Sequence, residues 1–167
     1  MTSLRILHID DEPDIREIVA LSLGLDSEIS VRSCASGADA IAAATDWSPD
    51  VILCDVMMPV MDGPATLARL RGCSQTADIP VVFMTARAQT RELEHLKSLG
   101  ATGVIAKPFD PLTLPNIVRN YSRPSALAPA AGPNVEAPVP RHVPTASYAD
   151  AALSEAFDRR IPHRRAG

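Results

Sequence analysis

Five side chains able to do chemistry stand at the ends of short apolar runs in this 167-residue chain. Asp10 and Asp11 follow LRILHI, Asp55 follows DVILC, Thr85 follows IPVVFM, and Lys107 follows GVIA. Three carboxylates that come close repel one another and force at least one to hold a proton, unless a cation sits among them. A hard, oxygen-only site with open positions suits Mg²⁺, which prefers few carboxylates, several waters and a phosphate oxygen. Such an ion screens the negative charge of an incoming phosphoryl group and lets a carboxylate act as nucleophile. Lys107 can pair with phosphoryl oxygens, and Thr85 can donate a hydrogen bond to one of them. Taken singly, each residue has a plainer reading. Asp10, Glu12 or Asp14 could cap a following helix, with Asp14 in its first turn, and Thr85 could be a strand-end hydroxyl. Only their joint placement carries weight.

That placement follows from the elements. The runs at 4–9, 29–34, 50–54, 79–84 and 103–106 alternate with segments of three-to-four-residue apolar spacing, Asp14–Leu25, Ala38–Asp46, Ala65–Leu70, Gln89–Leu99 and Leu112–Tyr121. Gly24, Gly100, Pro49, Pro59 and Pro80 punctuate the joints. The first, third and fourth runs are apolar almost throughout, as strands covered on both faces must be. Repeated β–α alternation predicts an α/β fold with a doubly wound (βα)5 parallel sheet. In the flavodoxin-like order 2-1-3-4-5, ligands bind outside the carboxyl ends of the strands where the order reverses, between the first and third. There the two acidic clusters face each other.

Composition narrows the function further. The chain is 46% hydrophobic and 22% charged, ordinary for a globular protein. No apolar run approaches the ~20 residues of a membrane span. Three carboxylates within the first twelve residues do not suit a secretory leader, so the expected location is the cytoplasm. Cys34, Cys54 and Cys73 are odd in number and widely spaced, reading as small buried hydrophobes. Residues 1–122 carry 16 acids against 10 bases, which disfavours direct nucleic-acid binding. Residues 123–167 hold 7 of the 15 prolines and 11 alanines, so a domain over 1–122 and a largely disordered Pro/Ala-rich C-terminal tail are expected. Within that tail, Ser147 and Asp150 form a capping box ahead of Leu153, Ala156, Phe157 and Ile161, which marks a short helix over 147–161.

The segments RILHIDDE, LCDVMMPVMDG, VVFMTARA and VIAKPFD resemble, in order and interval, the four signature segments of bacterial two-component receiver domains. The resemblance covers roughly residues 4–121. It implies that Asp55 is the phospho-acceptor, Asp11 a direct Mg²⁺ ligand and Asp10 the holder of a metal-bound water. It also implies a metal contact from the Met57 backbone carbonyl, a switch hydroxyl on Thr85 and a phosphate-bridging Lys107. Pro108 would follow a cis peptide bond, and Pro59 and Gly63 would shape the loop after the nucleophile. One position departs from the pattern: three residues before the lysine, where receivers usually carry Tyr or Phe, stands Val104.

The resemblance implies a stand-alone, phosphorylation-controlled switch fed by a sensor histidine kinase or a histidine phosphotransfer protein and signalling through protein contacts. A phosphate sink or relay intermediate shares the same residues. An aspartate-nucleophile phosphohydrolase would need a second acid two residues after the nucleophile, where Met57 stands, so enzymatic turnover of a separate substrate is not expected. Of the remaining notable side chains, His8 reads as a satisfied core histidine and His95 as part of a solvated helix face. Met57, Met58 and Met61 read as loop packing, and Trp47 as the cover of the second helix's end.

Overall fold

The computed structural model describes residues 3–87 and 89–122. The expected tail and its helix over 147–161 lie outside the described residues. Five strands, β1 (Leu4–Ile9), β2 (Ile29–Cys34), β3 (Val51–Asp55), β4 (Val81–Thr85) and β5 (Gly103–Ala106), form one parallel sheet in the order β2-β1-β3-β4-β5. Helices α1 (Pro13–Gly24), α2 (Gly37–Trp47), α3 (Gly63–Arg71), α4 (Thr90–Ser98) and α5 (Leu114–Ser122) alternate with them. The expected doubly wound architecture is present.

Two apolar cores explain why β1, β3 and β4 show no polar alternation. On one face, Val19 and Leu23 of α1 and Leu114 and Val118 of α5 pack with Ile6, Leu53, Val82, Met84 and Ile105. On the other, Ala40 and Ala44 of α2, Leu67 and Leu70 of α3 and Leu96 of α4 pack with Leu7, Ile9, Ile52, Val81 and Phe83. The edge strand β2 alternates instead, with Ser30 and Arg32 turned away from Ile29. Cys54 is buried in the second core, but Cys34 and Cys73 are only half-buried.

Local chemistry sets the boundaries. Pro80 lacks an N–H for the ladder, so β4 begins after it and ends one residue later than the apolar run, at Thr85. β3 likewise ends on Asp55. Helix α2 starts where Ser36 Oγ accepts the Asp39 N–H at 3.2 Å, and α3 where Asp62 accepts the Ala65 N–H at 2.8 Å. Pro13 opens α1, where a missing N–H costs nothing. Gly63 lets α3 begin directly against the end of β3. A Cβ there would lie 2.5 Å from the Asp55 carbonyl oxygen and 3.0 Å from the Phe83 ring.

His8 departs from expectation. It is fully buried in β1, yet neither ring nitrogen has a hydrogen-bond partner among the described residues. Its strand-mates on that face are apolar, and the nearest carboxylate oxygen, Asp10 Oδ2, lies 4.0 Å from Nε2, beyond hydrogen-bond reach. It is a buried core histidine, but not a satisfied one. Burial lowers its pKa to about 4, with the charges of Lys107 and Arg16 adding to the effect and Asp10 opposing it.

Two predictions follow from this packing. The unfolded imidazole titrates near 6.5 and the folded one at about 4, so between those values the unfolded chain holds more protons. Stability must therefore fall as the pH drops through that window, by on the order of 3 kcal/mol. In urea unfolding with EDTA present, His8→Leu should lose this component and be at least as stable as the parent at pH 7. Parallel pH profiles for the two proteins would contradict the assignment. Gly63→Ala should cost about 1–3 kcal/mol, because its methyl carbon meets backbone rather than a yielding side chain; an unchanged urea midpoint would count against that close approach.

Candidate functional site

The carboxyl ends of the strands bring four of the predicted residues into contact. Carboxylate oxygens of Asp10, Asp11 and Asp55 lie within 4.8 Å of one another. Lys107 reaches in from just beyond β5, and its Nζ donates to Asp10 Oδ2 at 2.6 Å and to Asp55 Oδ1 at 2.7 Å. The remaining oxygens of these two acids accept backbone N–H groups. Glu12 donates to Asp10 Oδ1 at 3.0 Å, and Met57 donates to Asp55 Oδ2 at 3.0 Å. Asp11 differs: its carboxylate takes part in no hydrogen bond or ion pair among the described residues, and it is half-buried where Asp10 is fully buried.

Burial and charge compete here. Desolvation pushes the Asp55 carboxyl above the usual range, and the Asp10 charge adds to this, while Lys107 and the Met57 N–H pull the other way. Burial works against the Lys107 charge, but the hydrogen bonds and charges of Asp10 and Asp55 outweigh it and hold its pKa above the ordinary lysine value. The ammonium therefore stays charged and offsets one of three negative charges. An all-oxygen donor set with one unpartnered carboxylate fits a hard divalent cation.

Thr85 is buried at the end of β4, and among the described residues its hydroxyl makes no hydrogen bond to the acids. It accepts the Arg87 N–H at 3.0 Å and lies 3.3 Å from the Arg87 carbonyl. The Met57 side chain is 67% exposed, so it is not loop packing, whereas Met58 is buried. The reason is local: the Met57 N–H is committed to Asp55, and the side chain points to solvent as the chain leaves the sheet. In the same loop Val60 is fully exposed with φ +67°, and the Met61 N–H donates to the Pro59 carbonyl at 2.7 Å. A β-branched residue in the left-handed region is unfavourable, so this exposed turn carries backbone strain. The Lys107–Pro108 bond is cis, as the resemblance implied. Val104 packs partly buried against the core that contains Phe83 and Leu96.

One contact was not anticipated from the sequence. Arg16, in the first turns of α1, donates from Nη1 to the backbone carbonyls of Asp10 at 2.8 Å and Asp11 at 2.9 Å. A basic residue shortly after an acidic pair was the available signal, but it reads equally as an exposed helix charge.

Comparison with known proteins agrees with this geometry. Residues 6–119 match the family model of the response regulator receiver domain. The chain is 38% identical over 106 residues to the DNA-binding dual master transcriptional regulator RpaA of Synechocystis sp., covering 64% of this chain and 44% of that protein. It is 35% identical over 117 residues to response regulator Rre1 of the same organism, covering 70% and 51%. The chain thus spans about half the length of the curated relatives it matches. Among solved structures, the chemotaxis response regulator CheY4 of Vibrio cholerae superimposes with a TM-score of 0.66 at 34% identity, over 72% of this chain and 99% of that one. Among the described residues no helix is long and apolar enough to cross a membrane. Receivers act as phosphorylation-controlled switches in two-component systems, and the acidic rim, the sheet order and the matched span agree that this chain belongs to the response regulator receiver domain family.

Proposed function

We propose that Asp55 accepts a phosphoryl group from a phosphohistidine on a sensor histidine kinase or a histidine phosphotransfer protein. The observation that carries this reading is the single ammonium of Lys107 spanning Asp10 and Asp55, beside a third carboxylate that is left unpartnered. In the transfer, the phosphorus–nitrogen bond of the donor breaks and a phosphorus–oxygen bond to Asp55 forms. The imidazole leaves with the electron pair. The Met57 N–H and Lys107 hold the Asp55 carboxylate from two sides, and Lys107 follows the transferred oxygens.

Mg²⁺, when bound, supplies positive charge to the phosphoryl oxygens. Their burial and present partners support a division of labour among the acids. Asp10 is fully buried with both oxygens accepting donors, which suits an outer role, holding water. The Asp55 oxygens are likewise engaged, but its side chain is 10% exposed and reaches solvent. Asp11 is free to ligate directly, with Asp55 and the Met57 carbonyl completing the protein's share. After transfer, the Thr85 hydroxyl turns from Arg87 toward the new anion. Val104 has no ring to swing, so the response centres on the loops after β3 and β4.

Residues 1–122 would be the receiver unit and 123–167 a tail, in a cytoplasmic protein signalling through protein contacts. Its chemistry is confined to its own phosphorylation and dephosphorylation, which makes it a switch and not an enzyme acting on a separate substrate. The acidic excess of residues 1–122 argues against this part touching nucleic acid itself.

Incubation with acetyl phosphate and Mg²⁺ should add the mass of one phosphoryl group to the intact protein, as read by mass spectrometry. Asp55→Asn should take up none, since an amide forms no acyl phosphate, and Asp11→Ala should lose most of the rate together with its Mg²⁺ dependence. Equal labelling of Asp55→Asn and the parent would overturn the assignment.

A further inference from the structure

The two acids at the metal side of the rim are adjacent in sequence and sit in the loop between β1 and α1. Adjacent residues in an extended backbone point in opposite directions. Bringing both carboxylates to one crevice therefore requires the peptide units at Asp10 and Asp11 to be held in a fixed, turned arrangement. The Asp10 N–H donates to the Cys34 carbonyl at 3.1 Å, and its carboxylate accepts the Glu12 N–H at 3.0 Å. The two carbonyls converge on Nη1 of Arg16, at 2.8 and 2.9 Å. One guanidinium nitrogen thus fixes both peptide planes, and it does so from α1, a rigid element seated on the sheet by Val19 and Leu23.

From this geometry we infer that Arg16 is a positioning residue for metal binding. It clamps the Asp10–Asp11 backbone so that Asp11 presents its unpartnered carboxylate to the cation while Asp10 keeps its donors. The inference rests on the reading of these acids as the Mg²⁺ side of the site. Arg16 does not touch the metal or the phosphoryl group. Its charge opposes cation binding, so the clamp must outweigh that repulsion. Groups that support metal ligands from behind commonly contribute 10- to 100-fold in affinity. Lysine keeps the charge, but its ammonium ends one bond short of the Nη1 position on a flexible, strongly hydrated stem, so it holds the two carbonyls less well.

The test is Mg²⁺ titration of the full chain without phosphodonor, followed by backbone amide shifts around Asp10–Glu12, with unfolding in EDTA measured alongside. The expected result is binding about tenfold weaker in Arg16→Lys at equal charge. Arg16→Gln should also bind more weakly, despite removing a repulsive charge, and each variant should retain a cooperative unfolding transition. Parent-like affinity in Arg16→Lys would overturn the clamp, as would tighter binding in Arg16→Gln, which would reduce Arg16 to a repulsive charge. Loss of stability with unchanged affinity would assign Arg16 a structural role only and overturn the inference too. If the parent itself fails to bind Mg²⁺, the reading of the acids falls first, and this inference with it. Parent binding with indifferent Arg16 variants removes the clamp alone.

Discussion

Everything at the rim of this sheet depends on how one ammonium is shared between two buried carboxylates. Lys107 Nζ lies 2.6 Å from Asp10 and 2.7 Å from Asp55, with Asp11 close by and unpartnered among the described residues. At an effective dielectric constant of about 20, unit charges about 4 Å apart interact by roughly 4 kcal/mol. Repulsion among three acids is thus of the same order as the attraction that one lysine supplies. The site is held together but left short of positive charge. That deficit makes a divalent cation welcome and lets one of the acids meet an anionic phosphoryl group.

The fold exists, for this purpose, to bring together residues far apart in sequence. Parallel pairing places the ends of β1 and β3 side by side, and β4 and β5 extend the rim. Apolar cores on both faces of the sheet fix the register, since a one-residue slip would send every side chain to the opposite face and undo the packing of both cores. Gly63 allows α3 to start against the Asp55 backbone, and Arg16 ties α1 to the loop carrying the other two acids. The helices next to the site therefore do more than cover apolar strands.

Much of this was legible in the residues. Apolar runs ending in Asp, Thr and Lys announced both the alternation of elements and the crevice, because a buried parallel strand and a polar strand end leave distinct marks. What stayed hidden depends on neighbours that sequence does not name. His8 looked like a core histidine with a partner, yet its face of β1 offers only carbon and a carboxylate just out of reach. Thr85 was correctly set at a strand end, but its hydroxyl bonds the backbone of Arg87 and not the acids. Met57 read as packing and is exposed, since its backbone N–H and not its side chain serves the loop. Arg16 was indistinguishable from a surface helix charge until its two carbonyl acceptors came into view.

The claim that Lys107 and a divalent cation compete to neutralise the same carboxylates can be met head-on by calorimetric titration of Mg²⁺ into the parent and into Lys107→Met, without phosphodonor. Removing the ammonium leaves Asp10 and Asp55 uncompensated, so the variant should bind Mg²⁺ several-fold more tightly than the parent. Equal or weaker binding by Lys107→Met would contradict this account of the site.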